Sequence, residues 1–243
     1  MTLWNPKEPA PAEAIDGVDA IVHLAGEPVN GRWTQRKRAA ILESRASGTR
    51  NLLTGIAAAP RPPRRLISAS AIGYYGDRGE EVLDETSPSG DDFLAEVCRA
   101  WEAAAVEGGP LGLSVVRLRT GIVLGRGGGA LEPLRRATLF GAGGRLGRGS
   151  QWWSWIHLDD LVHAIEHLLA SPVEGPVNLV SPEPVRQIDF ARTLGSTLRR
   201  PTLVPAPAFG LRAVLGGFST ELLSSRRVSG MVCAVGFCSV GFK

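Results

Sequence analysis

Lysine is nearly missing from this chain. Of 27 basic residues only Lys7, Lys37 and Lys243 carry an ammonium, which excludes chemistry that needs a lysine between positions 37 and 243. Phenols are scarcer still, with Tyr74 and Tyr75 alone. The three cysteines, Cys98, Cys233 and Cys238, are odd in number and have neither paired Cys-x-x-Cys spacing nor a nearby cluster of histidines. That excludes a disulfide framework or a zinc site as the organising device, and a reducing compartment fits best. Long apolar runs are absent too. No stretch approaches the roughly 18 uninterrupted apolar residues of a membrane span, and the opening Met1 to Pro9 has no apolar signal core. The expectation is a soluble, cytoplasmic protein with no membrane partner. Net charge is only +3 and its contributors are scattered, so no nucleic-acid partner is expected. No Gly-Lys-Ser/Thr follows any glycine cluster, which excludes a Walker-type NTPase.

What is present is enough for one large α/β domain: 243 residues, 44% of them hydrophobic. Short runs rich in Val and Ile alternate with longer segments at helical spacing, the pattern of a parallel sheet covered by helices. Asp19 to Gly26 reads as a buried strand ending in a small-residue loop, and Leu42, Ala46, Thr49, Leu53 and Ile56 then share one helix face. Pro60 to Pro63 stop that helix. Arg65 to Ser70 is the next strand, followed by a polar loop and then a helix with Asp91 as N-cap. Phe93, Val97, Trp101 and Ala104 form that helix's stripe, and Leu113 to Arg119 returns as a strand.

Beyond a glycine loop at 125–129, a helix should start near Ala130, and a second glycine-rich stretch runs from Gly141 to Gly149. Trp152 to His157 reads as one extended run. Leu158, Leu161, Ile165 and Leu168 define a helix whose first turn holds Asp159 and Asp160, where carboxylates favour the positive end of the helix dipole. Val177 to Val180 and a helix near Ile188 to Leu198 complete the pattern. At Pro201 the composition shifts, so the expected domains are 1–200 and a small helical appendage at 201–243. From Val228 to Lys243 there is no acidic residue, and that stretch reads poorly as any packed element, as a truncated or frame-disturbed end would.

Four segments, in order, resemble the extended short-chain dehydrogenase/reductases: Val22 to Gly26, Ile67 to Gly76, Val116 to Gly125 and Trp155 to Leu161. With Gly26-Glu27, Arg32-Trp33, the run from Trp101 and the glycine loop, they are similar to an atypical subgroup called epimerase family proteins, which carries a small C-terminal domain of unknown function. The resemblance covers about residues 15 to 228. It implies a Rossmann-like doubly wound parallel sheet and NADP or NAD as cofactor, with NADP favoured. The implied activity is NAD(P)-dependent oxidoreduction or epimerisation of a small-molecule substrate, either nucleotide-linked or a small carbonyl compound. A non-catalytic cofactor-sensing or interaction protein retaining the fold is the alternative.

The resemblance also places the site. Leu24, Ala25 and Gly26 would run under the adenosine and ribose side of the cofactor, Ser68 and Ala69 would lie near the nicotinamide ribose, and Thr120, Gly121 and Ile122 would cover the nicotinamide. Ser70 matches the serine that binds the reacting oxygen. The Tyr-x-x-x-Lys pair of such enzymes, however, falls on Leu94 and Cys98, neither of which transfers a proton as Tyr and Lys do. Tyr74 is then the candidate acid, with packing or substrate contact as its other reading. Arg126, Arg145 and Arg148 are candidates to grip a phosphorylated substrate, and Trp153, with its neighbours Trp152 and Trp155, to stack on a base or sugar. His157 is expected to hold its loop by a hydrogen bond. A Rossmann domain opens with a strand, a Gly-x-x-Gly-x-x-Gly turn and a helix that hold the pyrophosphate, and this sequence begins past them. A βαβ opening of roughly 30 or more residues is therefore expected to be missing, and dinucleotide binding to be weak or absent.

Overall fold

The computed structural model describes residues 2–230. From the N-terminus, helix α1 (Ala12–Ile15) precedes strand β1 (Ala20–His23), helix α2 (Gln35–Ala58), strand β2 (Arg65–Ala71), strand β3 (Val82–Leu83) and helix α3 (Phe93–Val106). Then come β4 (Ser114–Thr120), β5 (Ile122–Leu124), α4 (Leu131–Leu139), β6 (Trp152–Trp153), β7 (Trp155–His157), α5 (Leu158–Ala170) and β8 (Gly175–Leu179). The remainder is β9 (Val185–Arg186), α6 (Gln187–Leu198), α7 (Ala208–Leu215), α8 (Ser219–Leu223) and β10 (Arg227–Val228).

The central sheet is parallel throughout in the order β1-β2-β4-β8. Alternation along β2 shows why helices cover both faces. Leu66 joins Leu52, Leu53 and Ile56 of α2 in one core, while Ile67 joins Ala164 and Leu168 of α5 in another. Each face buries its own apolar row because successive side chains point opposite ways. Helix α3 lies along α2 on the first face. The doubly wound Rossmann-like architecture expected from the sequence is thus what the chain adopts.

The helix starts follow local chemistry. Thr34 accepts from the Lys37 amide at the head of α2. At α3 the cap is Asp92, whose carboxylate accepts from the Ala95 amide, and not Asp91 as expected from sequence. The extended run from Trp152 to His157 is two strands with different partners. β6 pairs antiparallel with β9 and β7 pairs parallel with β5, and Ser154 marks the switch. Its hydroxyl donates to the Arg226 carbonyl and accepts from the Val228 amide.

After Pro201 the chain turns back onto the sheet body. Ala206 exchanges backbone hydrogen bonds with the Arg145 to Gly147 turn, and β10 pairs with β3. The expectation for the C-terminal stretch concerns mainly residues outside those described, as do Cys233 and Cys238. No helix among the described residues is long and apolar enough to cross a membrane, and they contain no cluster of His, Cys, Asp and Glu suited to a metal ion.

Candidate active site at the strand ends

In a parallel doubly wound sheet, loops and helix N-termini converge beyond the carboxyl ends of the strands. The register places Leu24, Ala25 and Gly26 after β1, Ser68, Ala69 and Ser70 at the end of β2, and Thr120, Gly121 and Ile122 where β4 passes into β5, along this one edge. Gly121 is where the chain leaves β4 for β5. Its amide donates to the Leu179 carbonyl and the next amide, of Ile122, donates to the Ser154 carbonyl. A Cβ on Gly121 would stand 2.7 Å from the Ser154 oxygen and 2.8 Å from Val180, so only glycine passes.

Two helix starts flank the edge. Between them Trp33, Gln35, Arg38, Ala39, Leu42, Phe93 and Glu96 line a groove of about 470 Å³. Trp33 meets Phe93 edge-on at 5.1 Å, and the Arg38 guanidinium lies 4.2 Å from the Phe93 ring centre.

Beneath the edge lies a closed polar network. Ser70 donates to Glu102 Oε1 at 2.8 Å, Arg119 holds the same carboxylate through Nε at 2.8 Å and Nη2 at 3.0 Å, and Arg117 reaches Oε2 at 3.3 Å. Arg119 also donates to the Tyr75 hydroxyl at 3.0 Å, and that hydroxyl donates to Asn178 Oδ1 at 2.7 Å. Burial leaves the Tyr75 phenol raised above its ordinary pKa, although its hydrogen bonds with Arg119 and Asn178 pull the other way. Its proton stays in place. The Arg119 guanidinium lies over the Tyr74 ring, 3.5 Å from its centre.

Ser70 is therefore buried with its proton committed to Glu102, rather than open toward a reacting oxygen. Leu94 and Cys98 are buried on α3, and Cys98 faces the turn at Gly73. Burial first, and then the Glu102 charge, push the Cys98 thiol up to about 12, so it stays neutral. Tyr74 is half-buried, and its hydroxyl has no hydrogen-bond partner among the described residues.

The proposed substrate residues are not gathered with this group. Trp153 is core, 3% exposed and packed on Phe190 at 5.3 Å, so it presents no face to a base or sugar. Trp155 is buried and donates to the Glu183 carbonyl, while Trp152 is covered by the guanidiniums of Arg186 and Arg227. Arg126 and Arg148 are exposed. Arg145 lines a separate cleft of about 380 Å³ with Ile188, Arg192, Thr202, Leu203 and Pro205. His157 caps α5, its Nδ1 accepting from the Asp159 amide at 3.2 Å, as the expected loop-holding role requires.

Glu102, Arg119, Tyr75 and Asn178 had no assigned role in the sequence reading. A signal was available. Glu102 sits on the same helix face as Cys98, Trp101 and Ala105, and Arg119 lies in a central parallel strand, two places where an uncompensated charge is costly.

The NAD dependent epimerase/dehydratase family matches residues 6–180. An epimerase family protein of Arabidopsis thaliana, the chloroplastic SDR39U1 homolog, is 42% identical over 217 residues, covering 88% of this chain and 62% of the relative. Epimerase family protein Mb2239 of Mycobacterium bovis is 37% identical over 239 residues, covering 96% of this chain and 79% of its own. The crystal structure of human epimerase family protein SDR39U1 with NADPH matches with a TM-score of 0.83 at 32% identity, over 92% of this chain and 78% of that one. This chain thus spans a little under two thirds of the Arabidopsis relative and more of the others. Together with the parallel sheet and the strand-end loops, these matches show that the chain belongs to the NAD dependent epimerase/dehydratase family.

Proposed function

We propose that the chain is a dinucleotide-dependent oxidoreductase or epimerase-like protein acting on a nucleotide-linked or small carbonyl substrate, with NADP(H) favoured over NAD(H). The observation that carries this reading is the shared edge that the parallel strands bring together at their carboxyl ends, Leu24 to Gly26, Ala69 and Thr120 to Ile122. The structure of the human relative with NADPH supports the cofactor. A bound nicotinamide would supply or accept the hydride. The chain's own contribution is to lay the ring along this edge, with the aromatic and arginine groove beside it for the substrate.

Tyr74 is the phenol placed to hold or move a proton there, at its Oη. Ser70 positions Glu102 and, through it, Arg119 under the Tyr74 ring. Calorimetric titration with NADPH and NADH tests the reading. Weak but saturable binding of either is expected, and none at millimolar nucleotide would sink it. A second reading, a cofactor-sensing protein without turnover, is favoured by one specific observation: Leu94 and Cys98 bring neither a phenol nor an ammonium to α3. Tyr74→Phe separates the two. A large fall in turnover at unchanged nucleotide affinity supports catalysis, whereas unchanged turnover makes Tyr74 a packing residue.

A further inference from the structure

Trp33 stands beside the groove between the starts of α2 and α3, where the loop after β1, α3 and the C-terminal segment meet. Its indole N–H donates to the Val29 carbonyl at 2.7 Å, so what the side chain offers a ligand is its ring. A Cβ on Gly217 would stand 2.6 Å from Trp33 Cε3, and the Phe218 ring lies 6.4 Å away, so the C-terminal segment backs the indole. Phe93 meets it at an interplanar angle of 65°. The two rings make a corner that a flat apolar body can fill, face against one and edge against the other. Leu42 extends the apolar wall. The turn that carries Tyr74 runs past this corner: a Cβ on Gly73 would stand 3.5 Å from that of Leu94, the residue after Phe93.

Charge in the groove is sparse. Arg38 contacts the Phe93 ring, and among the described residues its guanidinium has neither a hydrogen bond nor an ion pair. Glu96, on the same lining, has no side-chain hydrogen bond or ion pair among them either. The Arg38 fork is therefore free to take one anionic group, and its planar donors match a carboxylate. A diphosphate finds no such match. The fixed charges of Arg38 and Glu96 cancel and Gln35 adds only a neutral amide, so two phosphate charges laid here would meet no net positive charge. Arg126, Arg145 and Arg148, the candidates for a phosphate, line none of this groove.

We infer that the groove selects a small carbonyl compound with a flat apolar body and a single carboxylate, over a nucleotide-linked sugar. The inference rests on the oxidoreductase reading above and narrows its substrate. The body fills the corner between Trp33 and Phe93, and Arg38 takes the carboxylate. An aromatic 2-oxo acid is the simplest member of that class.

The test titrates phenylpyruvate, phenylacetone and UDP-glucose by calorimetry, with and without NADP, into the unaltered chain, Arg38→Gln and Trp33→Leu. Phenylacetone keeps the ring and the carbonyl and lacks the carboxylate. Phenylpyruvate should bind saturably and more tightly than either other probe. Arg38→Gln should weaken it by about tenfold to a hundredfold, through loss of charge-assisted hydrogen bonds, and leave phenylacetone unchanged. Trp33→Leu should weaken both aromatic probes. Arg38 is exposed, so Arg38→Gln stays informative if Trp33→Leu fails to fold. UDP-glucose binding more tightly than phenylpyruvate, or phenylpyruvate affinity in Arg38→Gln within twofold of the unaltered chain, overturns the inference. NADPH titrated into the same protein separates the two readings. If NADPH saturates the chain and phenylpyruvate does not bind, the groove inference fails alone. If phenylpyruvate binds through Arg38 and NADPH does not bind, the dinucleotide reading fails and the groove stands. If neither binds, both fall.

Discussion

Glu102→Leu should be among the most damaging single substitutions in this chain, although Glu102 lies on an otherwise ordinary helix. The carboxylate accepts four hydrogen bonds, from Ser70, twice from Arg119 and once from Arg117, tying α3 to β2 and β4. Arg117 is 22% exposed and water can replace its partner, but Arg119 is 3% exposed and cannot be rehydrated without opening the sheet. Stranding a buried guanidinium costs about 3–5 kcal/mol. For a chain of this size each kcal/mol lowers Tm by about 2–4 °C, so a fall of about 6–20 °C is expected. Urea unfolding followed by circular dichroism measures the same loss as a lower midpoint at unchanged slope. The companion double variant Glu102→Leu/Arg119→Met removes both charges and should recover about 2 kcal/mol or more, because a buried pair replaced by apolar groups is often neutral. A single variant costing under about 1 kcal/mol, or a double variant no more stable than Glu102→Leu, would refute the view that charge compensation holds these elements together.

Gly121→Ala forces a methyl against the Ser154 oxygen at the junction of β4 and β5, and should cost about 1–3 kcal/mol, read by urea midpoint. An unchanged midpoint would mean the junction yields easily. Glu80, hydrogen-bonded first by Arg186 and then by Trp152, has its pKa lowered to about 2. Its folded value lies below the unfolded one, so its stabilisation is present above about pH 4.5 and is lost as pH falls through about 2. The stability difference between the chain and Glu80→Gln should therefore be flat from pH 7 to 5 and vanish near pH 2. Added salt should shrink it, since the pair is exposed. Cys98, neutral and buried, should resist alkylation at pH 8 in the native state and react after denaturation, as peptide mass spectrometry would report. Native labelling at Cys98 would show that α3 opens readily.

The sheet was legible because parallel strands buried on both faces must be apolar nearly throughout. Ile67, Val116 and Val177 announce β2, β4 and β8, and Leu161 with Leu168 announces α5. Two-residue strands carry no such signal. β6 and β9 exist because Trp152 and Trp153 find Arg186 and Val185, and a period of two cannot be read from two residues. Trp153 read as a ligand surface because tryptophan suits both stacking and cores, and only burial against Phe190 decides between them. The strand-end residues were assigned through the family resemblance, and parallel strand direction and order set them along one edge. The Ser70 hydroxyl was not, because its acceptor, Glu102, is 32 residues away and becomes a neighbour only once α3 docks on β2.

The Glu102–Arg119 pair and Tyr74 differ in a way that sorts the substitutions. The pair is buried and each charge faces the other, so its loss is felt first as stability rather than selectively in affinity or turnover. Tyr74 rests its ring on Arg119 and leaves its hydroxyl unbonded among the described residues. Tyr74→Phe keeps the ring on Arg119, so it removes the hydroxyl while retaining much of the packing. If that variant behaved like Glu102→Leu, with the loss appearing in the melting temperature and not in affinity or turnover, its side chain would belong to the scaffold. The open side of the edge would then lack the chemistry that the strand-end geometry makes room for.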